Sequence, residues 1–146
     1  IDEIDFLFSA NKGSTVKPIK NQASGGELSR LNLVLKSLVA RKSQLATMIF
    51  DEIDTGVSGQ VALQMGNILK DMSGNQQIIT ITHSAQVASR AAHHFYVYKD
   101  SSKTITNTSM KKIEKQDRTI EIAKMLSGDP PTDSALKNAS ELIALN

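Results

Sequence analysis

Residues Ala23-Ser-Gly-Gly-Glu-Leu-Ser-Arg30 set a hydroxyl, two glycines and a carboxylate in succession where an apolar helical pattern begins. A helix start offers unpaired backbone N–H groups and the positive end of the helix dipole, so it suits an anion such as phosphate. Further on, Met48-Ile-Phe-Asp-Glu-Ile-Asp-Thr-Gly56 puts two adjacent carboxylates directly behind an apolar run. Acids at the carboxyl end of a core strand lie where open α/β sheets keep their ligands. Asp51 suits holding hydrated magnesium and Glu52 suits orienting or deprotonating a water, with Asp54 just beyond in the turn. The two segments together point to ATP chemistry. The loop Gly-x-x-x-x-Gly-Lys-Ser/Thr that usually cradles nucleotide phosphates is nevertheless absent, and no Gly-Lys dipeptide occurs. The sequence therefore reads as one half of an ATPase site, the half that closes over a nucleotide held by other residues.

Each feature also has a plainer reading. Ser24-Gly-Gly-Glu27 fits a capping box, in which the serine hydroxyl and the glutamate carboxylate satisfy N–H groups at a helix start. A cap does not need the glycines, which cost about 1 kcal/mol each relative to alanine in a helix. The pair predicts that something approaches this backbone closely, and local chemistry leaves a cap alone and an anion site both open. The acids have an acid-rich surface turn as their alternative. His83 follows the apolar run Ile78-Ile-Thr-Ile-Thr82 and emerges at the same sheet edge as Glu52 if the two strands are neighbours. It is then either a phosphate-sensing donor or a satisfied structural histidine. His93 and His94 adjoin at a strand start and face opposite ways, so they read as structural. Neither Ser24 nor Ser84 stands in a Gly-x-Ser-x-Gly turn, which disfavours serine hydrolysis.

The elements that position these residues follow from apolar periodicity. Ile4, Phe6 and Phe8 alternate as in a strand, and a polar loop with Gly13 and Pro18 runs over 11–22. From Glu27 to Arg41, Leu28, Leu31, Leu35, Leu38 and Val39 fall on one helical face toward a core, and Leu33 and Val34 broaden it toward deep burial. A strand at 47–50 ends at Asp51, and a helix opened by Ser58 and Gly59 carries Val61, Met65, Ile68, Leu69 and Met72 on one face. Gly74 is placed to end that helix in a left-handed conformation. A strand at 78–82 and a short helix at 84–91 follow. Residues 95–98 pair with 104–113 across a polar turn, and helices at 118–126 and 134–145 close the chain around Gly128-Asp-Pro-Pro131. The order predicts an α/β fold: a mostly parallel sheet flanked by helices, with an antiparallel hairpin edge.

At 146 residues with 40% hydrophobic content the chain suits one domain over 1–146, and its start at Ile1 suggests a piece of a longer protein. A net charge of +2 gives no global argument for nucleic-acid binding. Lysines 12, 17 and 20, and lysines 111, 112 and 115, read as solvated surface. The absence of cysteine excludes disulfides, thiolate catalysis and sulfur-ligated zinc, and no apolar stretch is long enough to span a membrane.

Taken in order, Ala23–Arg30, Met48–Gly56 and Ile81-Thr-His-Ser-Ala-Gln-Val-Ala88 resemble the SMC-like branch of the ABC ATPases, specifically its members in bacterial DNA repair. The likeness runs over nearly the whole chain, from Phe6-Leu-Phe-Ser-Ala-Asn11 through His93-His-Phe95 to the closing helices. It implies the C-terminal lobe of a P-loop ATPase head, with the phosphate loop, the Q-loop and a long coiled coil lying outside this sequence. Ser24, Gly25, Gly26 and Glu27 would be the signature motif that contacts the γ-phosphate of ATP bound by the opposing head. Asp51 would be the Walker B acid acting on Mg2+, Glu52 the catalytic base, Asp54 the start of the D-loop at the dimer interface, and His83 the switch histidine. Where the family often has Leu-Pro after that histidine, this chain has Ser84-Ala85.

The function so implied is an ATP-hydrolysing head that forms a homodimer around ATP and acts with DNA in double-strand break repair and recombination. The resemblance implies a cytoplasmic, nucleoid-associated protein with no membrane partner. The lobe alone, lacking the phosphate loop, is expected to be inactive. The rivals are a dimerisation and DNA-binding module in which turnover is secondary, and a helicase-type ATPase, which leaves residues 24–30 unexplained. A transporter ATPase is disfavoured because Ile53 stands where a proline is usual. The signature reading requires the glycine pair to face outward, far from its own acidic pair.

Overall fold

The computed structural model describes residues 4–9, 12–13, 15–19, 23–42, 45–100 and 107–145. Strands β1 (Leu7–Phe8) and β2 (Lys17–Pro18) form a short antiparallel ribbon. The expected polar loop thus folds back on the first strand, and Pro18, which has no N–H to give, sits in this edge pairing. Ile4 and Phe6 remain exposed.

Helix α1 (Gly25–Lys42) leads into β3 (Thr47–Asp51), α2 (Gly59–Ser73), β4 (Gln77–Ile81) and the short α3 (Ala85–Ala88). Strands β3 and β4 are parallel, with Thr47 opposite Gln77 and Asp51 opposite Ile81. Side chains alternate along such a pair. The faces of Phe50, Met48 and Ile78 join Leu33 of α1, Ala62, Met65 and Leu69 of α2, and Val87 of α3 in one core. Gly66 brings α2 and α3 together: a Cβ there would stand 2.8 Å from Arg90 Cγ and 3.2 Å from the Gln86 carbonyl oxygen.

A hairpin of β5 (His94–Asp100) and β6 (Asn107–Ile113) follows, its expected turn lying outside the described residues. Tyr96 and Tyr98 stack at 5.9 Å along β5 with Lys111 over both rings. Helices α4 (Lys115–Ser127) and α5 (Asp133–Ala144) pack through Ile122, Ala123, Ala135 and Ala139 against Ala85 of α3. Arg118 Nη2 donates to the carbonyls of Ser89 and Ala91 at 2.9 Å each, tying α4 to the end of α3. No described helix is long and apolar enough to cross a membrane.

The α/β architecture, the parallel pair and the antiparallel hairpin match the sequence reading, but the described strands form three separate two-stranded sheets. Two expectations are corrected. The α1 stripe does not face a core: Leu33 and Ala40 are buried, whereas Leu28, Val34, Leu35, Leu38 and Val39 are 44% to 59% exposed. A helix apolar on nearly all sides suits a place between two layers, and this chain supplies one. Gly74 is not left-handed; its φ of −66° continues the right-handed turn, which ends on bonds from Gly74 N–H to Asp71 O and from Asn75 N–H to Met72 O.

His94 opens β5 half-buried, and its Nε2 has no hydrogen-bond partner among the described residues. Burial, with Arg118 adding repulsion, lowers its pKa from 6.5 to about 4. The unfolded chain therefore takes up this proton near pH 6.5 and the folded chain only near pH 4. The resulting stabilisation is complete above about pH 6.5, falls as the pH drops between these values, and is gone below about 4. Solvent screening at the exposed edge limits it to roughly 1–2 kcal/mol. Denaturant titrations from pH 7.5 to 4.5 should show this loss, and His94→Gln should flatten that part of the profile.

Candidate functional site

The parallel register brings the carboxyl ends of β3 and β4 side by side, and Glu52 N–H donates to Ile81 O at 2.9 Å, one step beyond the strand. Asp51 and Glu52 are exposed there, and His83, exposed two residues past Ile81, shares the edge. The neighbour relation on which the His83 reading depended is present. Glu52 has φ of +45°, a left-handed backbone uncommon for a residue with a Cβ and enriched at functional sites. Its carbonyl is held by Thr55, whose N–H and hydroxyl donate to it at 3.1 and 2.8 Å.

Asp54 is turned inward. It is 1% exposed, and its Oδ2 accepts a hydrogen bond from the Thr82 hydroxyl. Any surface that this turn presents comes from Thr55, Gly56 and Ser58, which are exposed, and not from the Asp54 carboxyl.

At the start of α1 the capping box is formed. Ser24 N–H donates to Glu27 Oε2 at 2.7 Å, and Glu27 N–H donates to Ser24 Oγ at 3.3 Å. Hydrogen bonds to the carboxyl from the Ser24 backbone N–H and from the Ser24 side chain, with Arg30 nearby, hold Glu27 below the usual range. The two glycines have different reasons. A Cβ at Gly26 would stand 2.7 Å from the Gly56 carbonyl oxygen, so the group that approaches this backbone is the turn after the acids. A Cβ on Gly25 would meet nothing within 4 Å. The expectation that both glycines face outward is thus corrected: Gly26 is buried against the turn at Gly56, whereas Gly25 and Ser24 are exposed. Ser29 Oγ adds a bond to the Thr55 carbonyl at 3.2 Å.

Among the described residues no group of three or more His, Asp or Glu could hold a metal ion. A single exposed carboxylate, Asp51, fits magnesium bound through one or two protein oxygens, with waters and phosphates completing the shell. Two hollows of about 230 and 480 Å³ among the described residues are lined by none of the candidate residues, and Asp51, Glu52 and His83 lie exposed at the strand edge. Sequence reasoning missed Thr55, Gly56 and Thr82. Gly56, with φ of +74°, was signalled by the Thr-Gly turn, and Thr82 by a hydroxyl directly before the histidine.

No family model matches the chain. It is 41% identical over 142 residues to the DNA repair protein RecN of Treponema pallidum, covering 97% of this chain and 25% of that protein. It is 40% identical over 143 residues to RecN of Bacillus subtilis and 42% identical over 144 residues to RecN of Rickettsia conorii. Those matches cover 98% and 99% of this chain and 25% and 26% of the relatives. The chain spans about a quarter of the length of the curated relatives it matches, and the resemblance read from its motifs is to bacterial RecN. A structure from work on ATP-driven dimerization and DNA-stimulated activation of SMC ATPases superposes with a TM-score of 0.62 at 19% identity, covering 78% of this chain and 67% of that one. The SmcHead bound to the C-winged helix domain of ScpA gives 0.55 at 22% identity, covering 70% of this chain and 30% of that one. The fold is that of SMC ATPase heads.

The unequal glycines predict unequal substitutions. Gly26→Ala drives a Cβ into backbone and should destabilise the protein by about 1–3 kcal/mol. Gly25→Ala meets open space and should leave stability equal or raise it by up to about 1 kcal/mol. Thermal unfolding of the two variants beside the parent checks the contrast.

Proposed function

We propose that this chain is the C-terminal lobe, spanning 1–146, of a RecN-type head that binds and hydrolyses ATP and closes on a second head in DNA double-strand break repair. The observation that carries this reading is the shared edge: Asp51, the left-handed Glu52 and His83 lie at the ends of two paired strands, and the start of α1 is fastened to the turn behind them. Its place of action in this reading is the cytoplasm, at the nucleoid, with DNA as partner, and the relatives' names as DNA repair proteins support it.

The reaction takes ATP and water to ADP and phosphate. Glu52 accepts the proton of the attacking water and orients its lone pair toward the γ-phosphorus. His83 donates a hydrogen bond to a γ-phosphate oxygen, where charge builds as the bond to the leaving oxygen breaks. Ser24 and the backbone N–H of Gly25 at the helix start act in the same way on the nucleotide of the opposing head, and Glu27 keeps that helix start formed. Asp51 would hold Mg2+ through one carboxylate, and the ion would supply charge neutralisation at the phosphates. Asp54 opens the D-loop segment that leads to the interface.

The N-terminal lobe of the same protein completes the structure. Ile49, Ile79 and Ile81 are 43% to 61% exposed on the outer face of β3 and β4, and the outer stripe of α1 lies open. Two-stranded sheets with bare apolar faces call for further strands and a covering layer. The lobe by itself, without the residues that cradle the phosphates, does not turn over ATP.

In the full-length protein, Glu52→Gln should lower ATP turnover by about a hundredfold or more while ATP-dependent head dimerisation persists. Unchanged turnover would overturn the assignment of Glu52. Repair that persists undiminished without hydrolysis would favour the binding-module reading.

A further inference from the structure

We infer that Asp54 and Thr82 form a latch that sets the position of His83, a role resting on the reading of His83 as a γ-phosphate contact. The Thr82 hydroxyl oxygen accepts Ser84 N–H at 3.0 Å and also contacts Asp54 Oδ2. A hydroxyl has one proton to give. With its oxygen already accepting from Ser84, that proton goes to the Asp54 carboxylate, which accepts only. The orientation of the hydroxyl is thereby fixed, and with it the short turn from Thr82 to Ser84 whose middle residue is His83.

Both sides of that turn are anchored. Ser84 Oγ caps α3 by accepting Val87 N–H at 3.4 Å and pairs with Gln86 Oε1 at 3.1 Å, while Thr82 continues directly from β4. Asp54 is anchored too, since its carbonyl accepts Val57 N–H at 3.1 Å in the turn that carries Gly56. The latch therefore links the acidic turn to the histidine without touching the nucleotide, and Asp54 is a positioning residue. A carboxylate at 1% exposure is an expensive way to fill space, because an apolar side chain of its volume packs as well. Its hydrogen bond to Thr82 is what an apolar residue cannot supply.

The full-length protein tests the latch with Thr82→Val, Thr82→Ser, Asp54→Ala and Asp54→Asn, each alone and with His83→Ala. Two readouts are needed, hydrogen exchange at the Ser84 amide and steady-state ATP hydrolysis. Thr82→Val and Asp54→Ala should speed Ser84 exchange by about tenfold or more. They should lower kcat by about tenfold with KM for ATP changed less than about twofold. Thr82→Ser and Asp54→Asn, which keep the donor and the acceptor, should retain most of both. In the His83→Ala background the losses in kcat should vanish, since no imidazole remains to position. Unchanged Ser84 exchange in Thr82→Val, or the same fold-loss of kcat with and without His83, would overturn the inference. Should Asp54→Ala not fold, the nearly isosteric Thr82→Val carries the test. If the unmutated protein has no ATPase activity, the proposed function fails, while Ser84 exchange still decides whether the latch exists.

Discussion

The parallel pairing of β3 and β4 is the constraint on which the site depends. Acids and histidine are separated by a whole helix in sequence, and only a register with Asp51 opposite Ile81 delivers them to one edge. A one-residue slip would exchange the faces of β4, pulling Ile78 away from the core cluster that contains Phe50 and Met65. Core packing below the edge and chemistry above it are therefore the same requirement. The bond from Glu52 N–H to Ile81 O carries the ladder one residue past the strand, so the left-handed step at Glu52 begins from a fixed point.

The second joint is the contact between Gly26 and Gly56, where a side chain on Gly26 would collide with a carbonyl. It makes the start of α1 and the turn behind the acids one surface. Ser29 and Thr55 reinforce it, and the capping box sits on its outer side. Because a packed backbone contact cannot deform gradually, movement of the acidic turn and movement of the α1 start are coupled. In the proposed head, where one motif would face its own nucleotide and another a neighbour's, this contact would link the two mechanically.

Much of this was legible in the sequence. The segments around Ser24, Asp51 and His83 carry cap chemistry, a strand-end acid pair and a strand-end histidine, each recognisable from residue type and spacing. Helix α2 followed from amphipathic periodicity, and α4 and α5 were placed on either side of Gly128-Asp-Pro-Pro131, each to within a few residues. The failures have physical causes. Leu28, Leu35 and Leu38 read as core because periodicity reports which face is apolar, not which chain segment covers it. Gly74 was assigned a left-handed cap from its residue type, but glycine permits that conformation without requiring it. Gly26 was credited to a ligand because a close approach says nothing of what approaches. The bond from Thr82 to Asp54 spans 28 residues and leaves no periodic mark.

Glu52 shows how a strained residue is kept. A left-handed backbone costs a residue with a Cβ about 1–2 kcal/mol. Three hydrogen bonds converge on its peptide groups: N–H to Ile81 O, and the N–H and hydroxyl of Thr55 to its carbonyl. At about 0.5–1.5 kcal/mol each, they offset the strain with a small margin. A glycine at this position would be strain-free and would make the same backbone bonds, so stability alone does not account for glutamate here. The conformation is one that the turn needs, and the carboxylate is an addition to it. Since backbone bonds fix the turn and the side chain stays exposed, that carboxylate is free to act on a group delivered from outside the chain.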